Sequence, residues 1–298
     1  MDKETLSNYG WIVICVLVLA VMIALAGPFG TFVAGAVKST TAGLFGVNQN
    51  ALGAAGIEIG DQAFDEGGNG GAGDQGGTGL PAVGVSAEDC TWDEIKAISE
   101  AGKGDEYFNL GDTKTFTTTD GKTIVMEIVA FNADTKADGT GTAGITWLSK
   151  GIIAERAMNL TATNQGGWKE SEMRTWLQND FYSTLPNELK NTIISVQKTY
   201  WDHDTKSTLS CDDNLWIPSY REIVGDNVCE NSGVSYSNAF TTLLSRYRDG
   251  FDGGRIAWWL RSSADYLNIP FWSIWKDGTA TKTANSLNPN GVVLGFCT

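Results

Sequence analysis

The chain opens on a stretch where apolar side chains run almost unbroken. From Tyr9 to Val37 no residue is charged, and Trp11 to Ala26 is nearly all Ile, Val, Leu, Ala and Met. About 20 such residues suffice for a bilayer-spanning helix, so the pattern predicts a long N-terminal hydrophobic helix. A cleaved signal peptide fits less well. Asp2, Lys3 and Glu4 nearly cancel where a basic region belongs, and the apolar run exceeds the ~7–15 residues of a signal core. Gly27, Gly30 and Gly35 place small side chains where helices approach one another in an apolar medium. Pro28 introduces a kink, after which the helical period resumes through Val33, Val37, Leu44, Phe45 and Leu52. Residues 1–56 therefore read as a membrane anchor or, as a rod of roughly 75 Å at ~1.5 Å per residue, as a filament core.

The pattern then breaks. Gly67 to Gly79 holds eight glycines in thirteen residues, with Asn, Asp, Gln and Thr between them, which marks residues 57–87 as a flexible, solvated linker. Regular patterning returns from residue 88 onward. Thr91-Trp92-Asp93-Glu94 has capping-box spacing and predicts a helix to about Ala101. Thr123–Phe131 is a dense β-branched and apolar run, read as a strand with a partner near Lys114–Thr118. Trp168–Phe181 sets Met173, Trp176, Leu177 and Phe181 at helical spacing, and Pro186 opens a short helix through Leu189 and Ile193. Leu215–Ile217 reads as a strand, Ser219 and Glu222 as a second capping box, and Ser237–Arg246 as a helix. Three late strands are expected at Ala257–Leu260, Phe271–Trp275 and Gly291–Phe296. Short helices and strands without βαβ alternation indicate an α+β domain over residues 88–298.

Composition narrows the function classes. Across 298 residues, 21 Lys plus Arg stand against 35 Asp plus Glu, a net charge of −14, and no basic stripe is available for phosphate contacts. A nucleic-acid partner is therefore not expected. Nine of the acidic residues fall between Ser39 and Ile95, where there is no basic one, so the head is much closer to neutral than the average. One His in the chain leaves little room for His-based zinc sites or His-centred triads.

Several blocks of the head form a recognisable series. They are Gly167-Trp168 with Met173-Arg174-Thr175-Trp176-Leu177, Leu215-Trp216-Ile217-Pro218 with Glu222-Ile223, Trp258-Trp259-Leu260-Arg261-Ser262, and a closing Gly291-Val292-Val293-Leu294-Gly295-Phe296-Cys297. In order and spacing they resemble an uncharacterised domain family common in surface and phage-related proteins of gut Gram-positive bacteria. That family looks like a relative of the C-type-lectin-like fold in its formylglycine-generating-enzyme-like form, and the resemblance covers about Cys90 to Thr298. It implies a rigid scaffold whose last strands and loops present ligand contacts. In some members of that fold this stretch is rewritten at adenines by diversity-generating retroelements. Here Tyr266, Asn268, Ser273, Trp275, Asp277, Thr279, Thr281, Thr283, Asn285 and Asn288 make an aromatic, hydroxyl and amide set suited to adaptable contacts. Phe271, Trp272 and Ile274 lie among them, and strand alternation sends some of these inward. The N-terminal helix is similar to type IV pilins in outline only, since their Gly-Phe-x-x-x-Glu processing signature is missing.

Enzymatic chemistry finds little support. Formylglycine-generating enzymes use cysteine chemistry, yet none of Cys90, Cys211, Cys229 and Cys297 has Cys-x-x-Cys spacing. Cys15 lies within the apolar helix as a packing residue. The other four allow three pairings. The resemblance favours Cys211 with Cys229 and Cys90 with Cys297, because that fold brings its termini together; four buried free thiols remain the alternative. His203 sits between Asp202 and Asp204 without a nearby nucleophile, and reads as a loop residue. Asp134–Gly141 has only a faint calcium-loop pattern, with Lys136 where a ligand oxygen belongs, and reads as a turn. Asp212-Asp213-Asn214 lacks the Trp-Asn-Asp pattern of calcium-binding lectins. No metal and no cofactor is expected.

The expectation is thus a non-enzymatic, surface-displayed ligand-binding protein of adhesin or receptor type, its head outside the cell and its partner a protein or glycan. Two alternatives stand beside it: a pilus-like filament subunit assembled through the N-terminal helix, and an enzyme of the formylglycine-generating type.

Overall fold

The computed structural model describes residues 80–298 apart from Asn227 and Tyr266. All belong to the second of the chain's two compact units, Asp74–Thr298. The helix expected over residues 1–56, and most of the linker expected over 57–87, lie outside the described residues.

The head begins with α1 (Trp92–Glu100), started by the expected capping box: the Thr91 hydroxyl accepts from Glu94 N at 3.2 Å, and the Glu94 carboxylate accepts from Thr91 N at 2.7 Å. One face of α1 is buried through Trp92, Ile95, Ile98 and Ser99. The short α2 (Gly104–Tyr107) follows, then β1 (Thr113–Thr117) and β2 (Thr123–Phe131), which pair antiparallel as the sequence predicts. Next come β3 (Ile145–Ser149) and β4 (Ala154–Arg156). Ser171 caps α3 (Glu172–Trp176), which continues as a π-helical turn over Leu177–Phe181 and ends in α4 (Tyr182–Thr184). Beyond Pro186 lies α5 (Asn187–Lys190), followed by the hairpin of β5 (Val196–Asp202) and β6 (Ser207–Asp213). The second capping box opens α6 (Tyr220–Val224), closed by Gly225 in the left-handed region at φ 88°. The chain ends with β7 (Trp258–Ser263), β8 (Pro270–Ile274), β9 (Ala280–Asn285), β10 (Asn290–Val292) and β11 (Gly295–Cys297).

Two larger sheets organise the domain, one in the order β1-β2-β3-β11 and one in the order β4-β10-β7-β8-β9, with β5-β6 as a separate ribbon. The architecture is α+β. The single late strand expected over Gly291–Phe296 is instead two: β10 belongs to the five-stranded sheet and β11 to the four-stranded one. Two glycines permit this switch. A Cβ on Gly291 would lie 2.7 Å from Ile152 Cγ2, and one on Gly295 would run into the Trp216 ring. The core between α1 and the four-stranded sheet is aromatic, with Trp92 edge-on to Trp147 and Phe296 at 5.9 and 6.0 Å between ring centres.

Two expectations need correction. Ser237–Arg246 forms only a 3-10 turn, Leu244–Arg246. Its apparent period came from Tyr236 and Phe240, both buried, while Leu243 and Leu244 project outward. Thr242 and Ser245 trade side-chain and backbone hydrogen bonds that tighten a local turn. Leu215–Ile217 contributes just one bridge, Trp216 to Gly295, although all three residues are buried. Among the described residues no helix is long and apolar enough to cross a membrane.

Candidate functional site

The blocks that carry the sequence resemblance hold the scaffold. Asp213, at the end of β6, is fully buried and accepts from Trp168 Nε1 at 2.7 Å, Arg174 Nε at 2.6 Å and Gln178 Nε2 at 3.2 Å. Asp213 thus ties the Gly-Trp and Met-Arg-Thr-Trp-Leu blocks to the hairpin, and Asp212-Asp213-Asn214 is an anchoring point at the end of β6. Trp176 lies against the Arg156 guanidinium, 4.4 Å from its ring centre.

A second polar cluster lies deeper. Arg261 on β7 donates to both oxygens of Glu222, at 2.7 and 2.6 Å, and also to the carbonyls of Thr199 and Ile217. Lys198 on β5 bonds to Glu222 at 2.7 Å and Asp134 at 2.6 Å, with its ammonium 3.6 Å from the centre of the Trp216 ring. Tyr236 and Thr146 donate to Asp134. Asp134, Lys198, Glu222 and Arg261 are all essentially inaccessible to solvent, so Asp134 is a core residue, while the turn expected over Asp134–Gly141 is closed between Lys136 and Gly141. Burial alone would raise the Glu222 carboxyl, but Arg261 and Lys198 outweigh it and hold it at about 2. Glu230, bonded to the Ser262 hydroxyl, is shifted upward by burial, which Ser262 and Arg261 only partly offset.

The face expected to bind ligand lies on β7, β8 and β9 of the five-stranded sheet. Trp259, Ser273 and Thr281 are paired in register across β7, β8 and β9. Around that ladder a shallow groove of about 270 Å³ is lined by Trp259, Ser273, Trp275, Thr281, Thr283, Ala284, Asn285, Asn288, Pro289 and Asn290. Ser273, Trp275, Thr281, Thr283, Asn285 and Asn288 were expected from the sequence, and the fold brings them together. The Thr281 and Thr283 hydroxyls are 3.0 Å apart on one side of β9, and Trp275 is 52 % exposed at the rim. Ser273 is buried at the groove floor. Phe271, Trp272 and Ile274 are buried as well, as is every residue of β8, although alternation sets Phe271 and Trp272 on opposite sides of the strand.

The remaining expected residues fall elsewhere. Asp277 accepts from the backbone and hydroxyl of Thr279 at 3.0 and 2.6 Å, so this pair shapes the β8–β9 turn instead of lining the groove. Those two bonds, the hydroxyl first, hold the Asp277 carboxyl below its usual value. Asn268 is exposed outside the groove, its carbonyl accepting from Asn164 N, and Tyr266 lies outside the described residues. Trp259, Ala284, Pro289 and Asn290 were missed. Trp259 belongs to a signature block and therefore reads as core, while Ala284 becomes a neighbour only through the β8–β9 register and Pro289 and Asn290 only because β10 lies beside β7.

The groove lining contains no Asp, Glu, His, Lys, Arg or Cys. A second hollow of about 220 Å³, between β2 and residues 238–245, includes Glu127, which Arg248 already pairs at 2.7 Å. His203 donates through Nδ1 to the carbonyl of Ala264 at 3.0 Å, with Lys206 alongside. Among the described residues no group of three or more His, Cys, Asp or Glu is placed to hold a metal ion.

Neither favoured disulfide is formed, and all four cysteines are buried free thiols. The terminus does meet α1, but Phe296 is the residue packed on Trp92. Strand alternation turns Cys297 to the opposite side, within 3.6 Å of Asp134 and Thr146. Cys211 lies beside Asp213, and burial together with that carboxylate pushes its thiol up to about 12. Cys229 is likewise raised, by burial and then by Glu230.

The fold and this uncharged groove define an α+β domain with a rigid charged interior and a neutral polar face. By sequence the chain belongs to the family described as Domain of unknown function (DUF6273), whose model matches residues 143–297, from just before β3 to the end of β11. No curated protein and no solved structure matches the chain.

Proposed function

We propose that the chain is a non-enzymatic ligand-binding protein displayed at the cell surface, with a C-type-lectin-like head that engages a protein or glycan through the β7–β9 groove. The observation that carries this reading is the groove itself: aromatic, hydroxyl and amide groups converge there with no ionisable side chain among them. Large flat side chains supply contact area at low entropic cost, and small polar ones supply hydrogen bonds. The groove is open and below the ~300–1,000 Å³ usual for a small-molecule site, which suits one protruding group of a larger partner. General acid–base or nucleophilic catalysis needs a titratable or nucleophilic group within hydrogen-bond reach of the substrate. The only hydroxyls lining the groove, on Ser273, Thr281 and Thr283, have no base among the lining residues. The uncharged N-terminal run supports attachment at a membrane or within an extracellular filament.

The test is a binding screen of the full-length chain against arrayed glycans and extracellular proteins, followed by groove variants. A hot-spot aromatic contributes ~2 kcal/mol or more, so Trp275→Ala should weaken the ligand roughly thirtyfold while the thermal midpoint stays in place. A ligand indifferent to Trp275→Ala and to Thr283→Lys binds elsewhere and removes this site.

A further inference from the structure

The buried Lys198–Asp134–Glu222 cluster has a geometry that a structural ion pair does not require. Lys136 bridges Val196 in an antiparallel register, with Gln197 N donating to the Thr135 carbonyl at 2.8 Å. Carried two residues further, that register sets Asp134 directly across from Lys198, where Nζ and Oδ1 are 2.6 Å apart. Arg261 engages both carboxylate oxygens of Glu222, so that Lys198, which also reaches Glu222 Oε1, is the cation that faces Asp134 out of reach of solvent. Such pairs are weak stabilisers, because desolvation consumes most of the Coulombic gain.

We propose that Lys198 and Asp134 are a modification site: their side chains condense into an intramolecular amide with loss of one water. The reacting forms are the free amine and the carboxylic acid, reached by moving one proton from Nζ to Asp134 within the pair. The Nζ lone pair then forms the C–N bond at the Asp134 carboxyl carbon. Tyr236 OH, 2.9 Å from Oδ2, and Thr146 Oγ1, 2.6 Å from it, donate to the oxygen that becomes negative. Glu222 Oε1, 2.7 Å from Nζ, accepts the amine proton and returns it to the departing hydroxyl, so the C–O bond breaks and water leaves. No redox partner is involved. Fixed opposition of the two groups replaces a bimolecular encounter, and the dry site opposes hydrolysis of the product.

The product fits its surroundings. Its N–H faces Glu222, its carbonyl keeps the Tyr236 and Thr146 donors, and the charges that remain are the closed Arg261–Glu222 pair. The polar atoms of the link itself keep partners, and two buried charges are gone.

Mass spectrometry of the denatured full-length chain tests this, with tandem sequencing of its peptides. The expected result is a branched peptide joining Lys198 to Asp134, one water lighter than its two parts, with no tryptic cleavage after Lys198. Asp134→Asn loses ammonia in place of water and converges on the same product mass. Lys198→Met and Glu222→Gln retain the full mass. Unlinked peptides with cleavage after Lys198 in the parent chain overturn the proposal. A water loss mapped to an Asp-Gly step such as Asp138-Gly139, with residues 134 and 198 unlinked, overturns it equally.

Discussion

The interior around Arg261 and the groove on β7–β9 meet at strand β7 and divide polar chemistry between them in opposite ways. Inside, charged residues are fixed by several short bonds each, as when Arg261 donates to Glu222 twice and to two carbonyls. Outside, the groove residues are uncharged and carry few internal bonds, such as the 3.0 Å contact between the Thr281 and Thr283 hydroxyls. A buried charge cannot be exchanged without leaving its partner stranded, whereas an exposed Thr or Asn is replaced at little cost. Rigidity and adaptability are thereby assigned to different parts of one domain.

Removing a charge from the interior should show the largest effect. Arg261→Met strips the buried Glu222 carboxylate of its two-bond partner, and breaking such a pair costs ~3–5 kcal/mol. For a domain of this size, at about 2–4 °C per kcal/mol, the thermal midpoint should fall by roughly 6–20 °C. A drop of less than a few degrees would show that the charged interior is not what holds the scaffold.

Acid should reveal two opposite contributions. The Glu222 carboxyl is held at about 2, below its ordinary 4.5, so its stabilisation is present above 4.5 and is lost as the pH falls from there. The amount is ~3 kcal/mol at about 1.4 kcal/mol per unit. Glu230 is shifted the other way, so its contribution is present below 4.5 and is lost as the pH rises through its elevated value. Stability should therefore peak on the acid side of neutrality. Thermal scans across pH check the peak, and Glu230→Gln should flatten its neutral-side slope; an unchanged slope removes Glu230 from the account.

Much of the scaffold was legible in the sequence, because local chemistry and tertiary structure agree there. Thr91 and Glu94 cap α1, Ser219 and Glu222 cap α6, and the apolar run of β2 pairs with β1. The β5–β6 hairpin was not legible. Its inward positions are Val196, Lys198, Tyr200 and Asp202, and two charged residues on the buried face erase the alternation that marks a strand. β9 was hidden for a different reason, since an edge strand of Thr, Lys and Asn resembles a loop. The chemistry of the groove residues could be read, but their assembly could not. Thr279 is the same residue type as Thr281 and Thr283, and only the turn between β8 and β9 separates the one that shapes the turn from the two that line the groove.

Gly295 tests the join between the two regions. It sits where the chain leaves the groove-bearing sheet for the other one, and Trp216, which it meets, also covers the Lys198 ammonium. Gly295→Ala forces a methyl group into that ring, an overpacking that costs ~1–3 kcal/mol. The loss should appear in denaturant midpoints while a groove ligand still binds the folded fraction with unchanged affinity. Coupled loss of affinity would mean that the groove and the interior are one cooperative unit.

The smallest stability change belongs to Trp275. Half of its surface is already in solvent, and its exposed flank touches nothing that folding would lose. Trp275→Ala should shift unfolding free energy by about 0.5 kcal/mol or less, as surface substitutions do. Chemical denaturation measures this directly, beside Arg261→Met on the neighbouring strand. A change of several kcal/mol would make Trp275 a packing residue whose exposure is incidental, and would set the groove on the same footing as the interior. A near-zero change leaves a large aromatic side chain at a surface position that stability does not require, and ligand contact is then the physical role left for it.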